Sequence, residues 1–128
     1  MKPLGPIPVG FEALDGELAI DGRKTSALVA QAGGTPLFVY SRATIAARVA
    51  RLRAAMPSRL AIHYAVKANP YTPLLETISS LVDGFDIASG GELQLVEQAG
   101  IVPGRVSFAG PGKRDAELEA AISRGVTL

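Results

Sequence analysis

The sequence of 128 residues contains no cysteine. Disulfide bridges, a cysteine-ligated zinc site and a thiol nucleophile are therefore excluded together. The sequence also lacks an excess of charge, because 13 basic side chains stand against 12 acidic ones. This balance gives no reason to expect nucleic acid or an anionic membrane as a partner.

Long apolar runs are absent as well. No stretch approaches the ~18 consecutive apolar residues that a membrane-spanning helix needs. At the amino terminus, prolines and glycines interrupt the apolar residues of MKPLGPIPVGFEALDG, unlike the continuous apolar segment of a signal peptide. With 48% hydrophobic and 20% charged residues, the composition is typical of a soluble globular protein. We therefore expect a cytoplasmic location and no contact with a membrane.

The first forty residues predict short elements. Residues 1–16 carry three of the nine prolines and are interpreted as a turn-rich lead-in. A hairpin is predicted over Glu17–Lys24, because Asp21-Gly22 favours the positive φ angles of a tight turn. A helix over Thr25–Ala32 and a strand over Leu37–Tyr40 follow.

Ser41 is placed to cap a longer helix, predicted from Arg42 to Met56. Its apolar side chains recur at three- and four-residue spacing on one face, and most of its arginines fall elsewhere. These arginines are interpreted as a solvated face.

From Leu60 onward, strands alternate with helices, which indicates parallel βα units. The strands are predicted at Leu60–Val66, Gly84–Ile87, Val106–Phe108 and, as a beginning, Val126–Leu128. The helices are predicted at Pro73–Ser80, Glu92–Ala99 and Arg114–Arg124. The repeat of about 22 residues favours a (β/α)8 barrel over an open sheet, so the predicted fold class is α/β, the N-terminal part of a TIM barrel. We expect the chain to be the truncated first part of a longer protein.

Two side chains stand where the functional groups of such folds lie, at the carboxyl ends of strands. Lys67 follows the strand that begins at Leu60, and Asp86 lies near the end of the next. An amine at the rim of an apolar barrel is disfavoured in its charged form, which makes it available as a nucleophile for an aldehyde. The simpler alternative, that Lys67 lies outside the strand with its amine in water, is favoured by the pattern alone.

Other candidate residues have simpler explanations. Glu92 follows Ser89 at the spacing of a capping box, which is a structural role. His63, the only histidine, shares the strand face of Lys67 and is expected to be a hydrogen-bonded core residue. The segment GPGKR departs from a phosphate loop, because Ser107 and Arg114 occupy positions that need Gly and Ser or Thr. Lys113 is interpreted as solvated.

The motifs YAVKAN and FDIASGGEL resemble those of the pyridoxal-phosphate-dependent amino-acid decarboxylases of the diaminopimelate and ornithine decarboxylase family. GTPLFVYS and FAGPGKRDAEL occur in the same order as in that family, so the resemblance covers nearly the whole chain. The beginning and the last 21 residues look most like a subgroup associated with exosortase A systems. Alanine racemases share the lysine motif but continue it differently.

The resemblance implies that Lys67 forms a Schiff base with pyridoxal 5'-phosphate and that Asp86 lies close to both. It implies that residues 1–40 form a β-rich segment that packs with an absent C-terminal β domain. Residues 41–128 would be the first part of the cofactor-binding barrel. We expect the complete protein to be a homodimer that decarboxylates an amino acid, and the 128-residue chain alone to be inactive. A racemase and a non-catalytic cofactor-binding protein remain alternative functions. No metal is expected, and the motifs do not indicate which amino acid is the substrate.

Overall fold

The computed structural model describes residues 5–8 and 10–128 of the chain. These residues form two compact units, one up to Ile45 and one from Ala46 to Leu128, and each is described by itself. Within the described residues, no helix combines the length and the apolar character needed to cross a bilayer.

The N-terminal unit contains a small antiparallel sheet of β1 (Glu12–Leu14), β2 (Glu17–Ile20) and β3 (Arg23–Lys24). Both connections are Asp-Gly turns with positive φ angles at both residues, the conformation that joins tight hairpins. The predicted hairpin is therefore confirmed. Strand β1 is not apparent from the sequence, because the prolines and glycines of residues 1–16 indicate an extended, turn-rich lead-in.

One helix follows this sheet, α1 (Thr25–Ala32), which ends at Gly33 in the left-handed conformation as predicted. The predicted strand Leu37–Tyr40 is wrong, since this segment makes no ladder with any described strand. Two of its apolar side chains still have a place in the fold, because Leu37 and Val39 line an apolar cavity of about 350 Å³ in this unit.

The long helix α2 (Arg42–Ala55) begins at Ser41, as predicted. The Ser41 hydroxyl accepts a hydrogen bond from the Thr44 amide (2.9 Å) and donates one to Asp21 Oδ1 (2.7 Å). One free amide of the first turn is thereby satisfied. Arg42, Arg48 and Arg51 are exposed, in agreement with a solvated face.

The C-terminal unit contains a parallel sheet in the order β4 (His63–Ala65), β5 (Gly84–Ile87) and β6 (Val106–Phe108). A parallel bridge from Ser107 to Thr127 marks the start of a further strand beside β6. The connecting and following helices are α3 (Thr72–Ser79), α4 (Gly90–Gln98) and α5 (Asp115–Arg124). Successive βα units with neighbouring parallel strands are the construction of a TIM barrel, which the sequence predicted.

One face of this sheet forms the core. Phe85 and Ile87 of β5 are completely buried, and Phe108 of β6 is 2% exposed. Leu75 of α3 and Val96 of α4 are also completely buried. Burying each large apolar side chain contributes about 1.5–3 kcal/mol, so this face fixes the sheet against its helices. The opposite face of the strands carries shorter or polar side chains, among them Ala65, Asp86 and Ser107.

Arg105 joins the end of α3 to the sheet. Its guanidinium donates hydrogen bonds to the carbonyl oxygens of Ser79 (2.9 Å), Val82 (2.7 Å) and Asp83 (3.1 Å). The Ser79 carbonyl is one that the helix end leaves without a helical partner, and the other two belong to the segment between α3 and β5. The position of β5 relative to α3 is set in part by this contact.

Candidate active site

Lys67 lies just beyond β4, in a single 3-10 turn over Val66–Ala68. Val66 is completely buried and anchors this turn, whereas Lys67 is exposed. The Asn69 amide donates to the Val66 carbonyl oxygen (3.1 Å) and closes the turn. The predicted strand Leu60–Val66 is therefore too long at both ends. The lysine is carried out of the sheet at its carboxyl end, so its amine is accessible.

Asp86 occupies the third position of β5, between the completely buried side chains of Phe85 and Ile87. Because successive side chains of a strand point to opposite faces, Asp86 lies on the face away from the core. It is half-buried, and its Oδ1 accepts a hydrogen bond from the Ser107 hydroxyl (2.9 Å). The carboxylate is therefore held in place from the neighbouring strand.

The register of the sheet brings the two predicted residues to the same end. Ala65 of β4 pairs with Asp86 of β5, and Lys67 follows Ala65 by two residues. The turn that holds Lys67 also contacts β5. Among the described residues, no salt bridge joins Lys67 to Asp86. An accessible amine with a carboxylate on the adjacent strand is a suitable arrangement for binding an aldehyde.

The loop after β6 comes close to the loop after β5. Gly110 has φ +108°, and a Cβ there would lie 3.6 Å from the carbonyl oxygen of Ala88. Lys113 lies 5.2 Å from the centre of the Phe108 ring and donates to the Gly110 carbonyl oxygen (2.8 Å). Lys113, which the sequence indicates to be solvated, is half-buried, and its amine also stabilises this loop.

Glu92 has the structural role that the sequence predicted. The Glu92 amide donates to Ser89 Oγ (3.2 Å), and Glu92 Oε2 accepts from the Ala88 amide (2.8 Å). These bonds fix the chain between β5 and α4, two residues beyond Asp86.

His63 is not a core residue, contrary to the expectation from sequence. It is exposed. Its Nδ1 lies 3.5 Å from Ser107 Oγ, so it belongs to the surroundings of Asp86. The sequence motifs did not indicate Ser107 as a site residue. Its place between Val106 and Phe108 is the only indication in the sequence, because a polar residue between two apolar strand residues lies on the face opposite the core.

Glu117 was also missed, and it joins two helix beginnings near the site. The Gly90 amide donates to Glu117 Oε1 (2.7 Å), and the Arg114 amide donates to Oε2 (3.0 Å). These backbone hydrogen bonds, the one from Arg114 first, lower the pKa of Glu117 from its ordinary value of 4.5 to about 2. The ionised carboxylate thus holds the start of α4 against the start of α5.

We expect Glu117→Gln to destabilise the protein at neutral pH, because an amide cannot accept both backbone hydrogen bonds as an anion does. The folded pKa lies below the ordinary value of 4.5, so this stabilisation is complete above about pH 4.5 and is lost as the pH falls towards about 2. Urea unfolding at several pH values measures it, with Glu119→Gln on the same helix as control. The prediction would be contradicted if the free energies of unfolding of the variant and the natural protein differed by the same amount at pH 7 and at pH 3.

A family model described as the pyridoxal-dependent decarboxylase, pyridoxal binding domain, matches residues 42–128. The diaminopimelate decarboxylase of Aquifex aeolicus is 45% identical over 118 residues, which cover 92% of this chain and 28% of the relative. That of Neisseria meningitidis serogroup B is 40% identical over 99 residues, covering 77% of this chain and 24% of the relative. The chain thus spans about a quarter of the length of these relatives.

Solved structures agree with the sequence comparison. A crystal structure from Aquifex aeolicus is 44% identical, with a TM-score of 0.80, covering 91% of this chain and 29% of that chain. Diaminopimelate decarboxylase from Helicobacter pylori, complexed with L-lysine, is 31% identical, with a TM-score of 0.70 and coverages of 80% and 26%. An arginine decarboxylase from a Chlorella virus is 34% identical, with a TM-score of 0.58 and coverages of 65% and 23%.

Proposed function

Because the chain belongs to the pyridoxal-dependent decarboxylases, we propose that the complete protein removes the α-carboxylate of an amino acid with pyridoxal 5'-phosphate as its cofactor. The observation that carries this proposal is the position of Lys67. It stands exposed on a turn at the carboxyl end of β4, and the strand beside it presents Asp86. The enzyme would be a carboxy-lyase.

The residues of the site fit this cofactor. The partners of Asp86 in the register are Ala65 and Ser107, so no side chain larger than a hydroxymethyl group stands beside the carboxylate at that level of the sheet. Lys67 would hold the aldehyde covalently through its amine. Asp86 would stabilise positive charge near that bond, since a nearby opposite charge favours the charged form. When bound, pyridoxal phosphate supplies the electron sink that makes loss of carbon dioxide possible.

We propose diaminopimelate as the first substrate to test, because several relatives, among them those of Aquifex aeolicus and Neisseria meningitidis, are named diaminopimelate decarboxylase. Other relatives are named for different substrates, among them the viral arginine decarboxylase and a Staphylococcus aureus enzyme that is 36% identical over 90 residues. These two cover 65% and 70% of this chain, so similarity over this segment is shared by enzymes with different substrates. Substrate choice would therefore depend on residues outside this segment.

Incubation of the complete protein with pyridoxal phosphate and candidate amino acids distinguishes the possible functions. We expect release of carbon dioxide in a molar ratio of one to the amine product. Loss of optical activity without carbon dioxide would instead indicate a racemase. A spectrum of bound cofactor without any change in any amino acid would indicate a cofactor-binding protein, and either of these results would overturn the decarboxylase proposal.

We also propose that residues 1–40 pack with a β domain formed by the rest of the complete protein. The described part of this segment leaves Phe38 84% exposed and Tyr40 46% exposed. Apolar surface of this kind is covered in stable proteins. In the complete protein, we expect slow hydrogen exchange at Leu37–Tyr40, and fast exchange there would contradict the proposal.

Finally, we propose that the complete protein is a cytoplasmic homodimer, as the family resemblance implies. Light scattering of the purified protein should give the mass of two chains. A mass of one chain at micromolar concentration would contradict the dimer, and recovery in a membrane fraction would contradict the location.

A further inference from the structure

Ser107 stands at the centre of a polar group on the open face of the sheet. It pairs with Asp86 on one side and with Thr127 on the other, and all three belong to one row across the parallel strands. Its neighbours in β6, Val106 and Phe108, are each 2% exposed and face the helices. The serine hydroxyl is therefore directed to the same face as the Asp86 carboxylate.

The protons of this group can be assigned by counting. A serine hydroxyl carries a single proton, and an ionised carboxylate can only accept. The Ser107 oxygen lies 2.9 Å from Asp86 Oδ1 and 3.3 Å from the Phe85 carbonyl oxygen, so its proton is directed at these two acceptors, the shorter contact being to Asp86. At the third contact, His63 Nδ1 at 3.5 Å, the serine can then only accept. A hydrogen bond at this contact therefore requires that the histidine carry its proton on Nδ1.

Gly84 allows His63 to reach Ser107. The two residues belong to β4 and β6, and β5 lies between them. His63 pairs with Gly84, and a Cβ at Gly84 would lie 2.6 Å from His63 Cε1 and 2.7 Å from Nε2. The same Cβ would lie 2.7 Å from the backbone oxygen of Arg105, which cannot move away easily. The imidazole ring therefore lies across β5 only because residue 84 has no side chain.

We propose that Ser107 is a positioning residue for Asp86 and that His63 orients the Ser107 hydroxyl by donating from Nδ1 to its oxygen. The carboxylate beside Lys67 would thus be fixed by a chain of two hydrogen bonds that crosses three strands. The effect on decarboxylation rests on the proposed function. The hydrogen-bond arrangement itself does not, and it can be measured without cofactor.

The arrangement is tested by nitrogen NMR of the complete protein labelled with ¹⁵N-histidine. Spectra are recorded at alkaline pH, and the two ring nitrogens of a neutral histidine have different chemical shifts there. We expect Nδ1 of His63 to have the chemical shift of a protonated nitrogen and Nε2 that of an unprotonated one. The signals are assigned by their loss in His63→Gln. A proton on Nε2 in the natural protein would overturn the proposal.

The positioning role is tested with three variants of the complete protein. Ser107→Ala removes the hydroxyl and should lower kcat about tenfold while the cofactor concentration for half-saturation stays unchanged. Ser107→Thr keeps the hydroxyl in a residue suited to strands and should restore most of the activity. Ser123→Ala, which removes an exposed hydroxyl on α5, serves as control.

The outcomes separate this proposal from the proposed function. A Ser107→Ala variant with the kcat of the natural protein, or a threonine variant as slow as alanine, would overturn the positioning role. If the natural protein shows no decarboxylation at all, the proposed function fails, and the NMR result still decides whether His63 donates to Ser107. Should Ser107→Ala fail to fold, the protonation state of His63 in the natural protein remains decisive.

Discussion

Replacement of Lys67 by alanine is expected to abolish cofactor attachment and to reduce decarboxylation by the complete protein at least about a thousandfold. No other lysine is placed to substitute for it within the described part of the chain. Lys24 belongs to the N-terminal unit and pairs with Asp15 (2.7 Å), and Lys113 is occupied by the Gly110 carbonyl oxygen. The absorbance of the bound cofactor and the initial rate with a saturating substrate measure the two effects.

Two further variants show whether this loss is due to the missing nucleophile. Lys67→Arg keeps the positive charge but cannot form a covalent bond to an aldehyde under these conditions, so it should be as inactive as alanine. Lys113→Ala removes an amine near the same end of the sheet and should leave cofactor attachment unchanged. Since Lys67 is exposed, thermal stability should change little in either Lys67 variant. An active arginine variant would contradict the assigned role.

Asp86→Asn is expected to give the second largest effect, a fall in kcat of about a hundredfold with the cofactor still attached. The asparagine amide fills the same space and can still accept a hydrogen bond from Ser107. It carries no negative charge, so it would not stabilise positive charge where Lys67 would hold the cofactor. The difference from Lys67→Ala is informative, since a spectrum of bound cofactor should persist. Steady-state kinetics and an absorbance spectrum of the same preparation measure both properties.

A matched control for this substitution is Asp115→Asn, which changes an exposed carboxylate at the start of α5. It should have the kinetics of the natural protein. If Asp86→Asn were equally harmless, the carboxylate would have only a structural role. The position of Asp86 on the strand next to Lys67 would then make no contribution to the rate of decarboxylation.

Strands buried under helices could be predicted from the sequence, and less buried ones could not. Gly84–Ile87 and Val106–Phe108 have the predicted bounds, because apolar residues at alternate positions must be covered by helices. Leu37–Tyr40 is a continuous run of apolar and aromatic residues but pairs with no described strand. Local composition cannot decide between a strand and an extended segment whose apolar surface needs another partner.

The location of the candidate site could be predicted because it depends on strand ends. Lys67 and Asp86 each lie at the carboxyl end of the strand that the pattern indicated, and the observed register places them at the same end of the sheet. The contacts that hold the site could not be predicted. Ser107 reaches Asp86 across strands, and Glu117 reaches Gly90 across 27 residues of chain. Such contacts depend on the three-dimensional arrangement, which no short motif encodes.

The central claim, that the amine of Lys67 holds the cofactor, is tested most directly by chemical trapping. The complete protein is loaded with pyridoxal phosphate, reduced with borohydride and digested, and the modified peptide is identified by mass spectrometry. We predict a single modified site, Lys67, in the peptide that contains HYAVKANP. Modification at Lys113 or at any other lysine, with Lys67 unmodified, would contradict the account.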